Sequence, residues 1–268
     1  MREVRRCTPE RRLLNSERPV NTPESRYIEK PGLPARSLGG AEAGPDARVE
    51  LETDWRRDWQ EDFPRYIPYL RQKCGVEFRG RVLEIGAGAA WLSAELSKLP
   101  KVVEVIATDA SPRRLKQHAP KIFKLLKAHE AKITRRPADF RELDFPKSHF
   151  DCVVCVGGLR RAVNVVHLLR EVRRVLKPGG QFVAIREPVR PLVKLESRKK
   201  PAVAPVASGA PARGYTLADY EEFFALAGLD LQVKRVNLSS GFKYYFDEMV
   251  NGLTHARYAF VGTKRGKA

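Results

Sequence analysis

The string VLEIGAGAAWLSAEL sets an apolar run directly before Gly86-Ala87-Gly88 and an amphipathic stretch directly after it. Glycines between a buried strand and a helix let the backbone approach a ligand at the strand's carboxyl end, as in a nucleotide-type site. A dinucleotide fingerprint needs a small residue three positions after the second glycine, and here that position is Trp91. Glu84, two residues before Gly86, adds a carboxylate that would repel a pyrophosphate and suits a cationic ligand. The next apolar run, EVIATDAS, ends in Asp109, where a carboxylate can accept hydrogen bonds from both ribose hydroxyls. Farther on, PADFRELDFPKSHFDCVVCVGGL brings Asp139 to the end of a third strand, where an acceptor can receive the exocyclic amine of adenine. A tight turn alone would account for the glycines. With the two aspartates at strand ends, the set reads as an adenosine site.

Strands must hold these residues at one edge, and the patterning supplies them. RVLEIG, a helix over 89–98, EVIATD, a helix over 112–127, ITRRPAD, FDCVVCV, a helix over 162–176 and QFVAIRE follow one another. Such alternation implies a parallel sheet with crossover helices, over a core of residues 80–188. Residues 214–268 complete the same domain. In TLADYEEFFALAG, Thr216 is placed as N-cap, Asp219 as the third helical residue and Gly228 as C-cap; LQVKRVNL, the aromatic segment GFKYYFDEMV and ARYAFVGTK follow. Upstream, Trp55, Trp59, Phe63, Ile67 and Leu70 recur at spacings of three to four, predicting a helical leader or lid over 51–79, interrupted near Pro64 and Pro68. Residues 1–50 mix charges with prolines and lack apolar periodicity, which predicts a flexible tail, and 189–213 read as a basic, Pro/Ala-rich loop.

Taken in order, LEIGAG, IATDAS, ADFRELDFPKSHFDCVVC and LLREVRRVLKPGGQFVAIREP resemble four motifs of the class I S-adenosylmethionine (SAM)-dependent methyltransferases. Within these, the resemblance is to the type 11 group that includes ubiquinone/menaquinone-biosynthesis enzymes. It covers residues 80–188 and continues more weakly from Tyr215 onward. It implies a Rossmann-like α/β fold, a seven-stranded sheet with helices on both faces and an antiparallel last strand. SAM would lie across the carboxyl ends of the first, second and fourth strands, against Glu84, Gly86, Ala87, Gly88, Asp109, Ala110, Asp139, Phe140, Val156 and Gly157. Two departures stand out. Ala90 occupies the place of a frequent third glycine, and Arg160-Arg161 replace the histidine-containing pair that many relatives carry after the fourth strand. Because SAM carries an activated sulfonium, the protein need only exclude water, align the acceptor and, where needed, take a proton. Glu187, Tyr215 and His255 are the candidate bases, and Tyr244, Tyr245 and Phe246 could roof an aromatic or lipid-like acceptor.

The expected reaction is O-, N- or C-methylation of a small-molecule or lipid-linked acceptor. The net charge of +18 over 268 residues keeps a second reading open, an RNA- or polyanion-associated methyltransferase, with basic patches that associate weakly with anionic surfaces or RNA. Against base methylation, the fourth strand ends in CVGG, and no Pro-Cys pair offers a nucleophile. A catalytically silent SAM-binding partner protein is a third reading, motivated by Arg160-Arg161. A nicotinamide-dependent dehydrogenase is opposed by Trp91 and Glu84. Cys152 and Cys155 lie three apart on a strand and so face opposite sides, and the five histidines lack ligand spacing, so no metal is expected. Four dispersed cysteines, the lack of an apolar run after Arg5-Arg6 or Arg11-Arg12, and no membrane-length apolar stretch predict a cytoplasmic protein.

Overall fold

Runs of valine, isoleucine and leucine that are apolar on both faces become central strands, because only a sheet covered on both sides buries them. The computed structural model describes residues 24–29, 63–139, 142–187, 189–190, 214–238 and 257–266. In chain order the elements are β1 (Arg26–Tyr27), α1 (Phe63–Lys73), β2 (Gly80–Ile85), α2 (Trp91–Ser97), β3 (Val102–Asp109), α3 (Ala119–Leu126) and β4 (Ile133–Pro137). They continue as β5 (Phe150–Val156), α4 (Val165–Val175), β6 (Leu176–Ile185), α5 (Leu217–Ala227), β7 (Asp230–Val236) and β8 (Arg257–Thr263).

The strands form one eight-stranded sheet in the order β1-β4-β3-β2-β5-β6-β8-β7. β1 to β6 pair in parallel, and β8 runs antiparallel between β6 and β7. The order reverses between β2 and β5, so the chain leaves those two strands toward opposite sides. A crevice opens there at the carboxyl ends. One face packs Tyr66, Leu70, Trp91, Leu92 and Phe123 from α1, α2 and α3 on Val82, Val105 and Val154. The other packs Leu168, Leu169, Val172, Tyr220 and Phe224 from α4 and α5 on Leu83, Val153, Phe182 and Phe260. Cys152 belongs to the first core and Cys155 to the second, as their odd spacing on a strand requires. α5 has the expected ends: a reciprocal capping box between Thr216 and Asp219, and Gly228 left-handed at φ 71°.

Two features depart from the sequence reading. The sheet has eight strands against the seven expected, because residues inside the segment read as a tail add an edge strand, β1, beside β4. The helix expected over 112–127 contains a π-helical turn, Arg114–His118, before α3. Pro120 accounts for it: the residue has no N–H to donate one turn back, and its ring collides with the carbonyl there unless the preceding turn widens.

β1 is too short to hold itself. Arg135, buried on β4, donates to the Leu115 carbonyl at 2.8 Å and to the Ser25 carbonyl at 2.9 Å. Lys116 stands 4.8 Å from the centre of the Tyr27 ring and pairs with Glu29 at 2.8 Å. Hydrogen bonds from a charged donor contribute about 1.5–3 kcal/mol each. Arg135→Leu should therefore speed hydrogen exchange of the Ile28 amide, which bonds the Arg135 carbonyl at 2.9 Å, by about tenfold or more while sparing β2 and β5. Equal acceleration throughout the sheet would show that Arg135 supports the whole fold and not β1.

Candidate active site

The turn after β2 places three residues in the left-handed region: Gly86 at φ 67°, Gly88 at φ 57° and Ala90 at φ 58°. Ala87 N–H donates to the Thr108 carbonyl at 2.8 Å, and Ala90 N–H to the Ala87 carbonyl at 2.8 Å. A Cβ built on Gly88 would meet nothing within 4 Å, so the space over the turn is open to a ligand. Ala90 adopts the conformation that a third glycine would take freely, at a cost of about 1–2 kcal/mol. Its methyl is fully buried in the first core, which offsets part of that cost and explains how the departure is tolerated.

Carboxylates surround the turn. Asp109 ends β3; its Oδ2 accepts from Gly88 N–H at 2.8 Å and its Oδ1 from Ser111 N–H at 2.8 Å, with Arg114 at 4.0 Å. A carboxylate has further lone pairs, so these bonds leave capacity for a diol. Glu84 is 1% exposed and accepts from Ser93 N–H at 2.9 Å and from the Ser93 hydroxyl. It thereby serves the first turn of α2, whose N-cap, Ala90, offers no side-chain acceptor. Burial, with a smaller push from Asp109, raises its pKa to about 8. Asp139 is half-buried just past β4, where its backbone bridges to Glu142, and Ala138 N–H donates to the Asp109 carbonyl at 3.1 Å. Ala110, Val156 and Gly157 are half-buried at the same edge and Ala87 is buried. Phe140 lies outside the described residues. Gly86 to Gly88, Asp109, Asp139 and Gly157 thus gather at the carboxyl ends of four adjacent strands.

Glu187 follows β6 and is 3% exposed. Its Oε1 accepts from Leu159 N–H at 2.9 Å, and the N–H groups of Gly158 and Arg160 add to the attraction. Its Oε2 is buried without a hydrogen-bond partner among the described residues, as is Nε of Arg160. Burial lifts the Glu187 pKa to about 7, against the pull of those backbone donors. Tyr215 is held by its backbone and its ring. It bridges Val189, its carbonyl accepts from Arg190 N–H at 2.7 Å, and its ring packs edge-on to Phe223 with centres 5.0 Å apart. His255 and the Tyr244-Tyr245-Phe246 segment lie outside the described residues. Sequence reasoning missed Ser93, the tether of Glu84, and Thr108, whose hydroxyl donates to the Glu84 carbonyl at 2.8 Å. Serines 93 and 97, both buried in the otherwise mostly apolar α2, were the available signal.

A buried acid whose folded pKa lies above its ordinary value of 4.5 favours folding fully below pH 4.5, and that contribution is lost as pH rises through about 8. Each tenfold change in proton affinity between the unfolded and folded chain corresponds to about 1.4 kcal/mol. Glu84→Gln, which cannot ionise, should match the parent in urea unfolding near pH 5 and exceed it by roughly 2–4 kcal/mol above pH 8. Glu187 acts in the same direction, so the variant's profile stays sloped. Parallel parent and variant profiles would mean that Glu84 ionises freely in the folded state.

Residues 82–180 match the family model described as a methyltransferase domain. The ubiquinone/menaquinone biosynthesis C-methyltransferase UbiE of Pseudomonas aeruginosa (strain LESB58) is 35% identical over 112 residues, 41% of this chain and 43% of that protein. UbiE of Pseudomonas putida (strain GB-1) is 35% identical over 125 residues, 46% of this chain and 48% of that protein. The chain thus spans less than half the length of these curated relatives. A chain of the complex between the Haloferax volcanii Trm112 methyltransferase activator and a methyltransferase is similar with TM-score 0.62 and 19% identity, over 84% of this chain and 100% of that one. A SAM-dependent methyltransferase from Aquifex aeolicus gives TM-score 0.57 and 16% identity, over 82% and 99%. At these identities the solved structures establish the shared fold, and the sequence match establishes the motifs that lie on it. Residues 82–180 are therefore a class I SAM-dependent methyltransferase domain.

Proposed function

We propose that the chain transfers a methyl group from SAM to a small-molecule or lipid-linked acceptor, with the cofactor across the carboxyl ends of β2, β3 and β5. One observation carries this reading. An open glycine turn is flanked by Asp109 and Asp139 at the switch point of the sheet, with no lysine or arginine in the turn itself. That charge suits a cationic nucleoside and opposes a pyrophosphate.

The backbone of Gly86, Ala87 and Gly88 would take the cofactor's amino-acid end, with Glu84 holding the start of α2 beneath the turn through Ser93. Asp109 would hold the ribose hydroxyls beside Ala110, Asp139 the adenine amine beside Phe140, and Val156 with Gly157 the floor between. When bound, SAM supplies a methyl group already activated for displacement, so a base is not obligatory. Glu187 is the residue best suited to take a proton where the acceptor has one to lose, since its pKa of about 7 matches neutral conditions. The names of the curated relatives, C-methyltransferases of ubiquinone/menaquinone biosynthesis, support carbon as the methylated atom. The described cysteines, Cys74, Cys152 and Cys155, are free thiols, in keeping with a reducing cytoplasm. No helix among the described residues is long and apolar enough to cross a membrane.

Calorimetric titration with SAM should show saturable binding, and NADH should give none. Asp109→Ala should weaken SAM by on the order of 1–3 kcal/mol, about five- to 150-fold, through loss of buried charge-assisted bonds. Binding of NADH in place of SAM would overturn the functional reading, and an unchanged SAM affinity in the variant would remove Asp109 from the site.

A further inference from the structure

After β5 the chain makes one 3-10 turn, Leu159–Arg161, which sets two consecutive arginines at the carboxyl edge of the sheet. Neither forms an ion pair among the described residues, and Nε of Arg160 is buried with no acceptor. Arg161 is exposed as a residue, but crowding around its head group, then Arg114 and Arg160, pull its pKa below the ordinary guanidinium value. Two carboxylates, Asp109 and Glu187, attract these arginines, but neither closes an ion pair with Arg160 or Arg161 among the described residues. Asp109 is occupied by Gly88 and Ser111 and meets Arg114 only at 4.0 Å. Glu187 accepts from the backbone of the arginine turn itself. A buried, charged donor without an acceptor is rare, and such groups mark places where something outside the chain completes the bond.

We propose that the methyl acceptor is a small organic anion, bearing a carboxylate or a phosphate that Arg160 and Arg161 hold beside β5. The inference rests on the functional reading above and names its substrate class. A cationic cofactor next to three guanidinium groups leaves an excess of positive charge, and an anionic acceptor removes it. The planar fork of arginine matches both carboxylate and phosphate. The unpartnered Oε2 of Glu187 then takes a hydroxyl or amine proton donor on the same molecule. The chain's net charge of +18 draws anions of either kind toward the site.

The test titrates the full chain, saturated with S-adenosylhomocysteine, with 4-hydroxybenzoate, 4-hydroxyphenyl phosphate and the neutral 4-hydroxybenzyl alcohol. At least one anion should bind about tenfold or more tighter than the alcohol, and the winning probe separates carboxylate from phosphate. The variant Arg160→Gln/Arg161→Gln should lose that preference and keep its S-adenosylhomocysteine affinity within about threefold. Equal binding of the three probes, or a preference that survives in the variant, overturns the inference. So does an RNA dodecamer that binds through these arginines when the small anions do not. A second measurement needs no cofactor: Arg161→Gln should raise the melting temperature at low salt, an effect that fades by about 0.5 M NaCl as repulsion from Arg114 and Arg160 is screened. A lower melting temperature would make Arg161 a structural residue and count against the site. Failure of S-adenosylhomocysteine to bind the parent would instead count against the functional reading, and the melting comparison would still decide the arginine cluster.

Discussion

Asp109 joins two backbones that would otherwise be independent. One carboxylate oxygen takes the N–H of Gly88 and the other that of Ser111, so the loop after β2 and the loop after β3 are clamped to a single side chain. The glycine turn has few other means of holding its shape, since left-handed residues alternate along it and break any regular ladder of backbone bonds. With Asp109 in place, the carboxyl ends of β2 and β3 form one rigid surface, and Ala138 N–H extends it to β4 through the Asp109 carbonyl. A site assembled from four strand ends depends on such ties, because parallel pairing aligns the strands but leaves the loops beyond them free.

The same edge concentrates unfavourable electrostatics. Glu84 and Glu187 are both buried, both have raised pKa values, and both serve backbone N–H groups at the start of a helical turn. Each satisfies orphan donors that its own turn cannot, which is why a carboxylate is retained where an apolar residue would pack at less cost. Arg160 and Arg161 stand at the same edge, form no ion pair among the described residues, and Nε of Arg160 has no hydrogen-bond partner. Stability withheld in this way at one edge of an otherwise well-packed sheet is the usual signature of a surface shaped for a ligand.

Away from that edge the structure is conventional in its energetics. Two apolar cores cover the sheet, and α4 and α5 meet over the second through Leu168, Val172, Tyr220 and Phe224. Each such side chain contributes about 1.5–3 kcal/mol on burial, far more than any single polar contact at the surface. Those cores carry the scaffold, so the active edge can hold strained and unpaired groups without unfolding the domain.

How much of this was legible in the sequence follows from range. Apolar runs of strand length, the glycine turn and the Thr216, Asp219 and Gly228 signals of α5 act within a few residues, so the order of elements and the parallel core could be read directly. Asp109 and Asp139 were legible as strand-end acids for the same reason. Three features were decided only by tertiary structure. β1 exists because Arg135 reaches Ser25 across 110 residues, and no local pattern announces a two-residue strand. Glu84 turned from a ligand-facing acid into the support of α2 once burial placed Ser93 above it. Glu187 and Arg160 acquired unpartnered atoms through the packing of the β5 and β6 loops against each other. Sequence by itself determined which groups were available at the edge. Desolvation and long-range contact, which depend on the whole fold, decided their charge and what each still lacks.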